Sequence, residues 1–269
     1  MARKDCPACE GTGWKLVEVE GVSRATRCDC NLEKRPADLL RRARIPLRYE
    51  HCTLESFNVV KDQGTGQPNA SLDVAKRWAQ QYVEEYPLDY GMIFTGPTGV
   101  GKTHLAVAVL RELITRKGVE CLFTDFRELL QEIRESYDPV SENSELRLLY
   151  PVVDTEVLLL DELVSANPTD WVKERLAYIV NARYNKKKVT LITTTLPFAG
   201  SAARPARRDE VQGEVKMPSG DAVPSLDRSL DQFGVTLSSR IYEMCKPIEI
   251  RADDFRKAVK QAGYQFYPR

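Results

Sequence analysis

The sequence predicts an α/β fold, with helices covering a parallel sheet and a small cysteine-rich module ahead of it. Three observations carry this. From Gly91 onward, short apolar β-prone runs alternate with longer amphipathic stretches, the pattern of βαβ units. The segment GPTGVGKT falls between one such run and the next helix. Four of the seven cysteines stand at Cys6, Cys9, Cys28 and Cys30.

Bulk properties narrow the field. A chain of 269 residues can bury one large core and still carry a small module. Its 42% hydrophobic and 29% charged residues are those of an ordinary globular protein. Lys+Arg and Asp+Glu balance at 39 each, so any nucleic-acid surface must be a local patch. The opening MARKDCPACEGTGW has no apolar run of the signal-peptide kind. No stretch approaches the ~18 apolar residues of a membrane span. An odd cysteine count with two close pairs argues for metal in a reducing compartment rather than disulfides, and so for a cytoplasmic protein.

The first module covers residues 1–33. Cys6-x-x-Cys9 and Cys28-x-Cys30 suit a closed, structural Zn²⁺ site of four thiolates. Gly11 and Gly13 permit the turn after the first pair. So short a block has little core, and zinc would supply much of its folding energy. An iron–sulfur cluster is the alternative occupant. Cys52, Cys121 and Cys245 have no spacing partner and read as core residues.

Residues 34–70 form a basic linker. KRPADLLRRARIPLR predicts one short helix over 34–48, stopped at Pro46, and KDQGTGQPNAS is a loop. Arg35, Arg41, Arg42, Arg44 and Arg48 either meet DNA phosphates or form a solvated face.

The main domain covers 71–269. Ser71 opens a helix with apolar residues at Leu72, Ala75, Trp78, Ala79 and Tyr82. GMIFT is a strand, and the helix KTHLAVAVLRELITRK after it ends at Gly118. VECLFT is a second strand. In DFRELLQEIRESY, Asp125 and Glu128 suggest a capping box, and Phe126, Leu129, Leu130 and Ile133 share one face. EVLLLDE is a fully buried strand. DWVKERLAYIVNARY is a helix, VTLITTT a fourth strand and KPIEI a fifth. Residues 199–223 are rich in Ala, Gly, Pro, Ser and charge, and are expected to be a disordered insertion.

GPTGVGKT matches G-x-x-x-x-G-K-T in the strand-to-helix context that the motif needs. Gly96, Pro97, Thr98, Gly99, Val100 and Gly101 would turn backbone N–H groups around phosphate oxygens. The helix N-terminus adds partial positive charge. Lys102 would reach the β and γ phosphates, Thr103 would place its hydroxyl on Mg²⁺, and His104 follows. Asp161 would also hold Mg²⁺, and Glu162 would polarise the attacking water. An adjacent Asp-Glu pair favours hydrolysis over transfer to a small acceptor. Thr194 or Thr195, ending the fourth strand, could orient the water from the other side.

Together with LSSRIYEMC, these segments resemble the DnaC/DnaI-type helicase loaders and their relative IstB, the transposition helper, within the AAA+ ATPases near DnaA. The resemblance covers most of residues 40–250 apart from 199–223. It implies five parallel strands ordered 5-1-4-3-2 and ATP bound between subunits. It also implies that Arg240 completes a neighbouring subunit's site as an arginine finger. A replicative helicase and single-stranded DNA are the implied partners. A transposase partner and a nucleotide-gated adaptor with little hydrolysis are the alternatives. The family position commonly held by Asn is Thr195 here, which implies slow turnover. No full helical lid is expected after DDFRKAVKQAGYQFYPR; Arg256 is a weak counterpart of the lid's cation. Phe57 either borders the adenine or is a plain core aromatic.

Overall fold

The computed structural model describes residues 6–10, 12, 14–19, 22–27, 29–61, 66–136, 143–163, 168–196, 230 and 234–257. The expected 199–223 insertion lies outside them.

The N-terminal block contains a hairpin that the cysteine spacing had overshadowed. Strands β1 (Trp14–Val19) and β2 (Val22–Arg27) pair antiparallel, with Trp14 opposite Arg27 and Val19 opposite Val22. Only Glu20 and Gly21 separate them, which is the length of a tight hairpin connection. Helix α1 (Asp29–Arg42) begins and ends earlier than the expected 34–48. It begins beside Cys30, inside the cysteine-rich block, and contains Pro36. It stops well ahead of Pro46 because Arg44 takes a left-handed conformation, φ 54°, and the residue before a proline avoids the helical region.

Helix α2 (Ala70–Glu85) is capped by Asn69, whose side chain accepts from the Ser71 and Leu72 N–H groups. Its face of Leu72, Ala75, Ala79 and Tyr82 is buried as the spacing implies, but Trp78 is 42% exposed. Strand β3 (Gly91–Thr95), α3 (Lys102–Lys117), β4 (Cys121–Asp125), α4 (Phe126–Glu135), α5 (Asn143–Asp154), β5 (Val157–Asp161), α6 (Asp170–Asn185), β6 (Val189–Thr194), α7 (Val235–Met244) and β7 (Cys245–Glu249) follow. Helix α5, which is not among the expected elements, contains Pro151.

The five core strands are parallel, in the order β4-β5-β6-β3-β7. Alternation along each strand divides the core into two layers. Met92 and Phe94 join α1, α2 and α3 on one face, and Ile93 joins α4, α5, α6 and α7 on the other. Helix α3 is apolar almost all round; Leu105 through Leu110, Leu113 and Ile114 are fully buried. Such a helix belongs at the centre of a layer, which fixes the loop at its N-terminus rigidly against the sheet.

Arg183 is fully buried on the apolar side of α6. Its donors reach Thr190 Oγ1 (2.9 Å) and the carbonyls of Val152 (2.9 Å), Thr155 (3.0 Å), Glu156 (3.4 Å) and Val189. One guanidinium thus ties the end of α5 to α6 and β6. Burial pushes its pKa down to about 9.

Candidate active site

The chain leaves β3 at Thr95, turns through residues 96–101 and enters α3 at Lys102. The turn needs glycine where other backbone or rings press in. A Cβ on Gly96 (φ 142°) would lie 2.1 Å from the Ile250 carbonyl oxygen, and one on Gly101 (φ 100°) 2.7 Å from the Phe57 ring. Lys102 is nearly buried, and its ammonium donates to the carbonyls of Gly96 (2.9 Å) and Pro97 (2.7 Å). Burial lowers its pKa, opposed by the nearby charges of Asp161 and Glu162.

A cavity of about 870 Å³ opens over this loop. Thr98 through His104 line it, together with Tyr49, Cys52 and Phe57 from the segment before α2. Glu162 and Thr193 to Thr195 line it from the strand ends, and Phe255 and Arg256 from the C-terminal side. Phe57 is therefore both core and cavity wall.

Register brings the carboxylates to the loop. Leu160 pairs with Ile192, so Asp161 lies beside Thr193. Asp161 Oδ1 accepts from Thr103 Oγ1 (2.8 Å) and from Thr193 Oγ1 (2.6 Å). Burial raises the Asp161 pKa, while both hydroxyls pull it down. Thr193 also accepts from the Glu162 N–H (3.0 Å). Glu162 itself sits at φ 52°, a conformation rare outside glycine and typical of functional sites. Its exposed carboxylate lies 3.7 Å from the Arg127 guanidinium. Loop amides, a lysine and a hydroxyl–carboxylate pair together suit a metal–triphosphate, with Thr103 and Asp161 as the candidate oxygen ligands for Mg²⁺.

His104 is held by the 53–57 segment. Its Nε2 lies 3.1 Å from the Thr53 carbonyl oxygen and 3.2 Å from Ser56 Oγ. Burial lowers its pKa, and a carbonyl only accepts, so Nε2 carries the proton. His104 thus ties α3 to the 53–57 wall, with its ring edge-on to Phe57 at 5.4 Å.

Among the other expected residues, Thr195 is exposed on the cavity wall. The buried Thr194 Oγ1 accepts from the Leu196 N–H at 3.3 Å. The strand-end hydroxyl that touches a carboxylate is Thr193, which the sequence reading passed over. Arg240 is not among the residues lining the cavity. It donates to Asn181 Oδ1 and lies 5.0 Å over the Tyr184 ring, both on α6. Arg48 lines the cavity, stacked 4.9 Å over Tyr49, rather than extending a basic face with Arg41, Arg42 and Arg44. Among the described residues no cluster of three or more His, Cys, Asp or Glu is placed to hold a metal ion. Cys6 and Cys9 are buried; Cys28 and the Cys30 side chain lie outside the described residues.

The model of the IstB-like ATP binding protein family matches residues 15–204. The chain belongs to that family. Among curated relatives of this IstB-like chain, the phage-like element PBSX protein XkdC of Bacillus subtilis is 26% identical, over 98% of this chain and 85% of that protein. The replicative helicase loader DnaC of Escherichia coli is 30% identical over 147 residues, covering 54% of this chain and 56% of that protein. A crystal structure of the DnaC helicase loader superposes with a TM-score of 0.59 at 27% identity, covering 77% of this chain and all of that one. The IstB-like core is an AAA+ P-loop fold. No helix among the described residues is long and apolar enough to cross a membrane.

Proposed function

We propose that this protein is an ATP-dependent loader of a replicative DNA helicase, binding and hydrolysing ATP between subunits and contacting single-stranded DNA. The observation that carries the reading is the likeness to DnaC in both sequence and fold. The cavity gives it chemistry. Residues 96–101 would wrap the phosphates with backbone N–H groups, and Lys102 would exchange its two loop carbonyls for phosphate oxygens. Thr103 and Asp161 would hold Mg²⁺, which when bound neutralises charge on the β and γ oxygens. Glu162, on the cavity wall, would polarise the attacking water. Thr195 lies on the wall from which a second polar contact to that water would come. Arg240, outside its own cavity, would serve a neighbour's.

In the same reading Cys6, Cys9, Cys28 and Cys30 hold zinc. Cys6 and Cys9 flank a tight turn, with the Glu10 N–H donating to the Cys6 carbonyl at 2.8 Å. The hairpin that follows sets Trp14 opposite Arg27, so one open end leads back to Cys9 and the other on to Cys28.

The test is co-purification from cell extract in ATP and in ADP, followed by ATPase assays with and without single-stranded DNA. Capture of a replicative helicase and stimulation by DNA are expected. Capture of a transposase would move the reading to the IstB side of the family. Nucleotide-gated partner binding without turnover would make the protein an adaptor.

A further inference from the structure

Arg240 is held in place without being neutralised. Helices α6 and α7 pack against each other, and positions three apart on a helix share a face. Asn181 and Tyr184 of α6 are one such pair, Arg240 and Glu243 of α7 the other. The Arg240 guanidinium donates from Nη1 to Asn181 Oδ1 and lies 5.0 Å over the Tyr184 ring. Glu243, one turn along its own helix, is the natural partner for a cation. Its carboxylate is taken instead by the Tyr184 hydroxyl, which donates to Oε2 at 3.0 Å. That bond raises the Tyr184 pKa, as a phenol keeping its proton beside a carboxylate requires. Among the described residues no carboxylate pairs with Arg240, and its guanidinium makes no other hydrogen bond.

An amide oxygen and an aromatic face orient a guanidinium but leave its unit charge in place. A carboxylate would cancel much of that charge. The planar fork also keeps donors at Nε and Nη2. A fixed cation with spare donors stabilises developing negative charge without reorganising at the moment of reaction. We propose that Asn181 and Tyr184 are positioning residues for Arg240, and that the Tyr184 hydroxyl diverts Glu243 so that the guanidinium meets the triphosphate of a second copy of this chain with its charge intact. This rests on the reading of Arg240 as the cation that completes a neighbour's site.

The experiment uses the full chain and measures ATP turnover and, separately, binding of a fluorescent ATP analogue. Tyr184→Phe keeps the ring under Arg240 and frees Glu243 to pair with it. The kcat should fall about 2- to 10-fold, the range of one hydrogen bond, with nucleotide affinity unchanged. The double variant Tyr184→Phe/Glu243→Gln should regain wild-type kcat, because a neutral amide cannot cancel the guanidinium. A packing role for Tyr184 gives no such rescue. An unchanged kcat in Tyr184→Phe, or a loss that Glu243→Gln fails to restore, would overturn the proposal. Asn181→Leu removes the other hold and should likewise lower kcat without weakening nucleotide binding; wild-type kcat in that variant would remove Asn181 from the proposal. Mixed chains show which copy carries the effect. Tyr184→Phe placed on a Lys102→Ala chain should lower the activity of its mixture with Arg240→Ala chains, whereas on the Arg240→Ala chain it should not. Equal loss in both mixtures would make Tyr184 a general support and count against positioning. If Arg240→Ala alone turns over ATP like the wild type, the shared-site reading fails and the proposal falls with it. An inactive Arg240→Ala beside a fully active Tyr184→Phe sinks the proposal alone.

Discussion

Thr193 and Asp161 are joined by a 2.6 Å hydrogen bond across adjacent strands, and the carboxylate oxygen that accepts it also accepts from Thr103. Two hydroxyls from two elements thus fix one oxygen of a buried acid beside the phosphate loop. The arrangement follows from strand register, since Asp161 ends β5 next to the point where β6 presents Thr193.

Thr193→Val keeps the branched shape and removes the hydroxyl. It takes a donor from Asp161 and an acceptor from the Glu162 N–H. A hydrogen bond to a charged group contributes about 1.5–3 kcal/mol, so Mg²⁺-supported nucleotide binding should weaken roughly 10- to 100-fold. Thr193→Ser should retain most of it. Titration of nucleotide binding at several Mg²⁺ concentrations checks this; equal loss in both variants would point to packing instead.

Asp161 also predicts a pH dependence. Burial raises its pKa in the fold above the ordinary carboxylate value. The folded chain then binds this proton more tightly than the unfolded one, so stability falls as pH rises through the window above the ordinary carboxylate value, and the cost persists at neutral pH. Nucleotide-free Asp161→Asn should therefore melt higher than wild type at pH 7, by about 2–4 °C per kcal/mol relieved. The gap should narrow as pH is lowered toward 4. Thermal melts across that range, without nucleotide, decide it. The same variant should lose Mg²⁺-dependent binding.

Lys102 and Arg240 separate gripping from completing the site. Lys102→Ala should abolish nucleotide binding. Arg240→Ala should leave binding intact and lower hydrolysis by about 10³-fold or more, the range for an arginine finger. A mixture of the two should regain activity, since one chain supplies the intact loop and the other the guanidinium. No recovery in a mixture shown to co-assemble would assign Arg240 to α6, where Asn181 and Tyr184 already hold it.

The zinc reading predicts that purified protein carries one equivalent of zinc by elemental analysis. Cys28→Ser should lose it, along with the protease resistance of the N-terminal block, while nucleotide binding by the main domain persists. Full zinc content in that variant would remove Cys28 from the ligand set.

What the sequence made legible was whatever rests on local pattern. The strand-loop-helix setting of GPTGVGKT, the buried run ending at Asp161 and the αL cap at Gly118 follow from composition within a few residues. What escaped depends on partners far along the chain. Thr193 is one of three adjacent threonines, and only pairing with β5 singles it out. Tyr49 looks like any aromatic after a proline until Phe123 is placed against it. Trp78 fits the apolar spacing of α2 yet is exposed, because the spacing marks a stripe without fixing its width. Prolines are weak local stops here: Pro151 lies inside α5, and Pro36 inside a helix that Arg44 ends.

Arg183 supplies the clearest test of the packing. A buried arginine usually answers a carboxylate; here the partners within hydrogen-bonding distance are one hydroxyl and four carbonyls. Arg183→Met fills similar volume but leaves those oxygens short of donors, at about 1–3 kcal/mol for each one left unsatisfied. A loss of roughly 3 kcal/mol or more is expected, seen as a fall in Tm of roughly 6–12 °C. Arg183→Lys should fall between the two, since an ammonium keeps the charge but cannot span five acceptors with a planar fork. Because Arg183 lies away from the cavity, nucleotide affinity measured well below Tm should barely change. A Tm in Arg183→Met equal to wild type would mean that hydrophobic repacking of α5 against α6 makes up for the lost donors.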